Sequence, residues 1–128
     1  MEDQAEATEL DRLSQKFQKE LNSGLASLVL LSVLEQAGED LYGYQIAKRL
    51  QGTGPGEPPI KQGALYPVLR QLAASGLLAS RIVPSYAGPP RRYRITPAGR
   101  ETLAGWRAIW QSTRDFVDKC LEPEGQPP

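Results

Sequence analysis

Seven basic residues and no acidic residue lie between positions 61 and 100 of this 128-residue chain, whose formal net charge is zero. The other residues carry eight basic groups against all fifteen acidic ones, so positive and negative charge are segregated along the sequence. The stretch "RRYR" at 91–94 places three arginines within four positions. A basic segment of this length is typical of a surface that contacts a polyanion such as nucleic acid.

A predicted helix over 62–75 carries part of this charge. Its leucines and a valine form one buried side, and Gln62, Tyr66 and Arg70, spaced by four, share the opposite, solvent-facing side. Arginine and glutamine read base edges in the major groove, and Tyr66 can reach a base or a phosphate. Lys61 stands at the helix start, where free N–H groups also favour a phosphate. An ordinary solvated helix face is the alternative.

The arginine triplet belongs to the second of two predicted strands, which together form a hairpin. The strands cover 77–83 and 91–96, with the turn "PSYAGPP" at 84–90 between them. A strand places successive side chains on opposite sides. This pattern predicts one core-facing side and one charged side for the second strand.

On that second strand, Tyr93 and Ile95 are expected to seal the core, and Arg92 and Arg94 are expected to stay exposed on the other side. Arg91 lies near the tip of the hairpin. We expect the three arginines to position phosphates or to enter the minor groove rather than to read bases. A charged strand edge that resists aggregation is the alternative.

The first forty residues predict two helices separated by a break. The segment 8–21 opens with a capping-box pattern, and Asn22-Ser23-Gly24 then interrupts it. The apolar run at 25–34 predicts a buried central helix that ends near Gly38. With about ten residues, this run has half the length that spans a bilayer.

Two further helices complete the predicted order. Asp40 is expected to cap a helix over 41–50 that ends at Gln51-Gly52. Thr96-Pro97 supplies the N-cap and first residue of a last helix that runs to about Leu121. Three helices followed by a hairpin, in the middle of the chain, form the winged helix-turn-helix plan, and the hairpin is its wing.

The last helix carries an apolar stripe whose positions are spaced alternately by three and four, as in a coiled-coil seam. A terminal helix beyond a complete small core is expected to bury such a seam in a second copy of the chain, and packing on its own domain is the alternative. A stripe of Leu10, Leu13 and Phe17 is expected to join the same interface. The seam consists of Leu103, Trp106, Trp110, Val117 and Cys120, with Thr113 at the remaining step.

Two residue types in this seam have chemistry of their own. Trp106 and Trp110 can hold a planar aromatic ligand between subunits, and a role as interface anchors is the alternative. Cys120 is expected to be a small buried hydrophobe rather than a redox sensor.

Enzymatic function is poorly supported by the composition. The chain has no histidine, which excludes a histidine-based triad, and its single cysteine cannot build a zinc site. We therefore predict no catalysis, no cofactor and no metal. The acidic N-terminus lacks a signal-peptide pattern, and the single cysteine fits a reducing compartment, so the predicted location is the cytoplasm.

Three blocks resemble the PadR family of bacterial transcriptional regulators: "LYGYQIAKRL", "GALYPVLRQLAASGLL" and "GPPRRYRITPAGRETL". They occur in the family's order and spacing, and the resemblance covers roughly 21–120. It implies a winged-helix DNA-binding domain with a single C-terminal dimerisation helix. Such proteins usually repress transcription at inverted repeats, and some release DNA on binding phenolic or planar aromatic compounds at the dimer interface.

The resemblance also assigns positions. It implies that Tyr42-Gly43-Tyr44 starts the second helix of the motif and that Gly63 opens the recognition helix, which adds Tyr42 and Gly63 to the expected DNA contacts. The family commonly has two tyrosines before the ending of its second wing strand, whereas only Tyr93 is present here.

The predicted fold is mainly α with a small β-hairpin, a winged helix-turn-helix with N- and C-terminal dimerisation helices. Its parts are an amphipathic helix at 1–21, the DNA-binding domain at 22–96, a dimerisation helix at 97–121 and a flexible tail at 122–128. The predicted function is that of a homodimeric, sequence-specific transcriptional regulator that binds double-stranded DNA and acts as a repressor. A protein-interaction adaptor and a ligand sensor, both without DNA binding, are the alternatives.

Overall fold

A computed structural model of the chain describes residues 2–52, 58, 60–83 and 91–124, with side chains for all of these except residues 2–7 and Gln62. The fold is mainly helical with a small sheet, as predicted. The predicted turn at 84–90 and most of the loop at 52–59 lie outside the described residues. The elements are α1 (Glu2–Ala37), β1 (Leu41–Tyr42), α2 (Gly43–Gln51), α3 (Gln62–Ala74), β2 (Leu78–Ile82), β3 (Arg91–Ile95) and α4 (Pro97–Leu121).

Helix α1 is continuous, so the predicted break at Asn22-Ser23-Gly24 is wrong. Gln18 Nε2 donates a hydrogen bond to Asn22 Oδ1 at 2.8 Å, so this asparagine side chain bonds one turn back along the helix. Gly24 costs a helix about 1 kcal/mol relative to alanine, and this cost does not outweigh the hydrogen bonds of an uninterrupted helix. None of the helices in the described part of the chain is both long and apolar enough to cross a bilayer.

The sheet has three antiparallel strands in the order β1–β3–β2, one more than the predicted hairpin. A strand of two residues leaves no alternating pattern in the sequence, which explains why β1 was not predicted. Its pairing places Tyr42 opposite Arg92 of β3. Helix α2 begins at Gly43, so its N-cap is Tyr42, and the prediction that Asp40 caps this helix is wrong. Asp40 Oδ2 instead accepts a hydrogen bond from Arg81 Nε at 3.1 Å.

The core lies between α1, the inner side of the sheet and one side each of α2, α3 and α4. Tyr93 and Ile95 are buried in it, as their alternation predicts. Leu103 is 1% exposed and belongs to this core, so its predicted place in the dimer interface is wrong. The physical reason is that the first half of α4 packs on α1 of its own chain, where Arg107 also pairs with Glu35 at 3.4 Å.

The junction between the sheet and α4 has the predicted cap. Thr96 Oγ1 accepts a hydrogen bond from the Gly99 N–H at 3.0 Å, and the same hydroxyl donates to the Gly76 carbonyl oxygen at 2.7 Å. Gly99 has no room for a side chain, because a Cβ there would clash with the Leu77 carbonyl oxygen. The first turn of α4 is thereby held directly against the segment that leads into β2.

Candidate nucleic-acid interface

Helix α3 has a leucine-lined buried side and an exposed side, as predicted for a recognition helix. Arg70 is exposed in the middle of the helix, and Gly63 and Lys61 are exposed at its start. Gln62 is the first residue of α3, and its side chain lies outside the described residues. The structure thus brings Lys61, Gly63 and Arg70 to one helix.

The start of α3 is open to a ligand. Lys61 is the N-cap and makes no side-chain capping hydrogen bond. Its carbonyl oxygen accepts the Ala64 N–H at 2.9 Å, while the first N–H groups of a helix have no partner within it. Among the described residues, no atom lies within 4 Å of a Cβ built at Gly63. Packing within the described chain therefore gives no reason for a glycine here, whereas close approach of a ligand to the backbone does.

Tyr66 does not share the solvent-facing side of α3, and this part of the sequence prediction is wrong. Its half-buried ring packs against the core and lies over Gly43 at the start of α2. A Cβ on Gly43 would clash with that ring, so the missing side chain of Gly43 is what makes room for Tyr66. Tyr66 sets the distance between the two helices of the motif.

The three wing arginines have three different environments. Arg91 is exposed, and its guanidinium donates a hydrogen bond to Ser80 Oγ at 3.1 Å. Arg94 is also exposed, as predicted. Arg92 is half-buried, with its guanidinium carbon 4.6 Å from the centroid of the Tyr42 ring, so its predicted exposure is wrong. The physical reason is strand β1, which brings Tyr42 next to Arg92.

A row of three side chains crosses the outer side of the sheet. Tyr42 on β1 and Arg81 on β2 both stand opposite Arg92 on β3. Like charges opposite each other repel, and each arginine has a separate compensating contact: Asp40 for Arg81 and the Tyr42 ring for Arg92. Arg81 was not among the residues predicted to contact DNA. Counted from the outer ends of the two predicted strands, at 77 and 96, the register sets Arg81 opposite Arg92, whereas counting from the turn sets it opposite Tyr93, so the sequence offered two registers for this residue.

The acid-free segment keeps most of its charge uncompensated. Within the described residues, Arg81 is its one basic side chain that pairs with a carboxylate, and the other ion pairs lie outside it. The described residues also contain no group of three or more metal-ligating side chains that could hold a metal ion. Within the described residues, the basic side chains of the segment 61–100 that have no carboxylate partner are Lys61, Arg70, Arg91, Arg92, Arg94 and Arg100.

Two sets of exposed apolar side chains lie on α1 and α4. Leu10, Leu13 and Phe17 on α1 are 51–64% exposed, and Phe116 on α4 is 70% exposed. Every residue from 111 to 121 is exposed in the single chain, which includes Val117 and Cys120 of the predicted seam. The second half of the seam is thus uncovered, unlike Leu103 in the first half.

Trp106 and Trp110 are half-buried and line a groove of about 500 Å³ between α1 and α4. Leu21 and Leu28 of α1 line its opposite side together with Gly24. The two tryptophans therefore share one apolar groove within a single chain.

Comparisons with known proteins agree with this architecture. A sequence model of the transcriptional regulator PadR-like family matches residues 30–105. The crystal structure of a PadR family transcriptional regulator from Eggerthella lenta has a TM-score of 0.77 and 33% sequence identity, over 91% of this chain and 99% of that chain. This match confirms the predicted winged-helix fold.

Two further proteins are similar over most of their length. A transcriptional regulator from Clostridium thermocellum has a TM-score of 0.65 and 26% identity, over 80% of this chain and 96% of that chain. An uncharacterised protein from Lysinibacillus sphaericus is 27% identical over 99 residues, which are 77% of this chain and 88% of that protein. With the family match over most of its folded length, this chain belongs to the PadR-like family of transcriptional regulators.

Proposed function

We propose that this chain is a DNA-binding transcriptional regulator, rather than an enzyme, that acts in the cytoplasm and places α3 in the major groove. The observation that carries the proposal is the open start of α3, where an exposed glycine adjoins Lys61, one of six basic residues between 61 and 100 that have no carboxylate partner among the described residues. A duplex supplies the missing counter-charge, and its backbone can approach Gly63 closely.

The exposed residues divide into two roles. Arg70 and Gln62 on α3 read base edges, since arginine and glutamine make bidentate contacts with guanine and adenine. Lys61 and the first N–H groups of α3 hold one phosphate. Arg91 and Arg94 on the wing hold the neighbouring backbone and carry no sequence information directly. Tyr42 is half-buried just before α2 and does not read bases. Its ring contacts the guanidinium of Arg92 on the wing.

Charge-removing variants test these roles on a duplex selected from a random pool. Lys61→Gln and Arg94→Gln are expected to weaken binding to selected and scrambled duplexes alike and to reduce the salt slope by about one each. Arg70→Gln is expected to cost about 1–3 kcal/mol of discrimination at one base pair. Arg114→Gln removes the same charge from the exposed half of α4 and serves as the control. Equal effects of all four variants, or none, would contradict the assignment.

We also propose that the regulator is a homodimer. The exposed stripe Leu10, Leu13 and Phe17 and the exposed half of the α4 seam offer apolar surface that a second copy can bury. A two-fold axis then presents two α3 helices to the half-sites of an inverted repeat, about one helical turn apart. Occupation of such a site near a promoter represses transcription. Sedimentation of Phe17→Glu tests the dimer: we expect a monomer, and an unchanged sedimentation coefficient would contradict the proposed interface.

The tryptophan groove supports a second proposal, that a planar aromatic compound binds there and releases DNA. Its half-buried tryptophans and apolar α1 residues are chemically suited to a flat aromatic ring. Titration with an acridine dye is expected to quench tryptophan fluorescence in the wild type, and Trp110→Ala is expected to abolish the quenching with Trp106 left as reporter. Unaltered fluorescence in the wild type would count against this ligand class.

A further inference from the structure

We infer that Arg92 is a positioning residue that fixes the wing against the start of α2, and not one of the phosphate contacts. This inference rests on the proposed DNA-binding function. The guanidinium carbon of Arg92 lies 4.6 Å from the centroid of the Tyr42 ring, and strand pairing sets the two residues opposite each other. The other neighbour in this stack is Tyr44, whose ring lies parallel to that of Tyr42 at a centroid distance of 5.6 Å.

The burial of Arg92 separates it from the other wing arginines. Its Nε is buried and has no hydrogen-bond partner among the described residues. A guanidinium whose inner nitrogen is enclosed and whose plane is occupied by a ring has fewer N–H groups free for a phosphate fork. Arg94 lies two residues further along the same side of the same strand and is exposed. The two arginines carry the same charge in different surroundings.

Tyr42 is the point at which the wing and the recognition helix meet. It is the residue before α2, and its own N–H donates a hydrogen bond to Gln45 Oε1 at 2.8 Å. The next residue, Gly43, is the one covered by the Tyr66 ring of α3. Of these two consecutive residues, Tyr42 therefore contacts Arg92 of the wing, and Gly43 contacts Tyr66 of α3. Loss of the Arg92–Tyr42 contact frees the wing to shift relative to α3.

A shift of this kind alters sequence discrimination, whereas loss of a phosphate contact weakens all duplexes equally. We expect Arg92→Gln to lower the ratio of selected-duplex to scrambled-duplex affinity by about three- to tenfold with an unchanged salt slope. Arg94→Gln is the matched control and is expected to lower the salt slope by about one with an unchanged ratio. Arg92→Lys is expected to restore part of the ratio, because an ammonium group also binds a ring face.

Variants of the ring provide an independent arm. Tyr42→Phe keeps the ring and is expected to bind as the wild type does, and Tyr42→Leu is expected to reproduce Arg92→Gln. The double variant Arg92→Gln/Tyr42→Leu is then expected to be no worse than either single variant, as for two residues that act through one contact. Thermal melting establishes that each variant is folded at the assay temperature. If Arg92→Gln is not folded, the affinity ratios of Tyr42→Phe and Tyr42→Leu test the inference instead.

The inference is overturned if Arg92→Gln lowers the salt slope as Arg94→Gln does, if it leaves the affinity ratio unchanged, or if Tyr42→Leu and Arg92→Gln are additive. Failure of the proposed function gives a different result, in which the wild type itself binds the selected duplex without salt dependence. The two failures are therefore distinguishable in the same set of titrations.

Discussion

Replacing Gly63 by alanine separates the stability of α3 from its contact with DNA. A Cβ at this position meets no atom within 4 Å, so the substitution creates no clash within the described chain. Alanine favours a helix over glycine by up to about 1 kcal/mol. For a domain of this size, a gain of about 0.5–1 kcal/mol raises the Tm by about 2–4 °C. Gly63→Ala is therefore expected to be slightly more stable than the wild type.

The same methyl group is expected to weaken DNA binding. It projects from the start of α3 into the space that the backbone of a bound duplex occupies in the proposed complex, and overpacking of this kind costs about 1–3 kcal/mol. The affinity for the selected duplex should therefore fall by about five- to 150-fold. Melting curves and fluorescence anisotropy on the same preparation measure both quantities.

Gly105 supplies the matched control. It is an exposed glycine inside α4, and a Cβ built there would also meet no atom of the described residues within 4 Å. Gly105→Ala is expected to raise the Tm without changing DNA affinity. If Gly63→Ala binds DNA as tightly as Gly105→Ala, the start of α3 does not approach the DNA backbone. A lower Tm for Gly63→Ala would show that the argument from open space is wrong.

Other predictions concern stability and self-association. Thr96→Ala removes the cap of α4 and should lower the free energy of unfolding by about 1–2 kcal/mol in urea titrations; an unchanged value would refute the cap. Gly43→Ala should lower it by about 1–3 kcal/mol, because the Cβ clashes with Tyr66; equal stability would contradict that packing. Leu103→Ala should lower the free energy of unfolding by about 2–5 kcal/mol, because it leaves a cavity in the core. Phe116→Ala should instead weaken self-association in sedimentation experiments. If Leu103→Ala weakened self-association and Phe116→Ala lowered the free energy of unfolding, the placement of Leu103 in the core and of Phe116 in the dimer interface would be wrong.

The parts of the fold that depend only on neighbouring residues could be predicted from the sequence. The Thr96-Pro97 start of α4 follows from capping and the fixed φ of proline. The burial of Tyr93 and Ile95 follows from alternation along one strand. In both cases the information lies within a few residues of sequence.

Other features depend on contacts between distant segments and were not predictable from such patterns. The break at Asn22-Ser23-Gly24 was inferred from weak propensities that a continuous helix overrides. Periodicity places Leu103 on an apolar stripe but does not say that α1 of the same chain covers it. The burial of Arg92 depends on β1, which is fifty residues earlier in the sequence and only two residues long.

The salt dependence of wild-type binding to the selected duplex and to its scrambled counterpart decides whether this basic surface contacts DNA. Phosphate contacts from Lys61, Arg91 and Arg94 predict a slope of about −3 per protomer, and about twice that for a dimer, in log affinity against log salt. We expect this steep slope together with tighter binding of the selected duplex. A shallow slope with equal affinity for both duplexes would contradict the assignment of this surface to DNA.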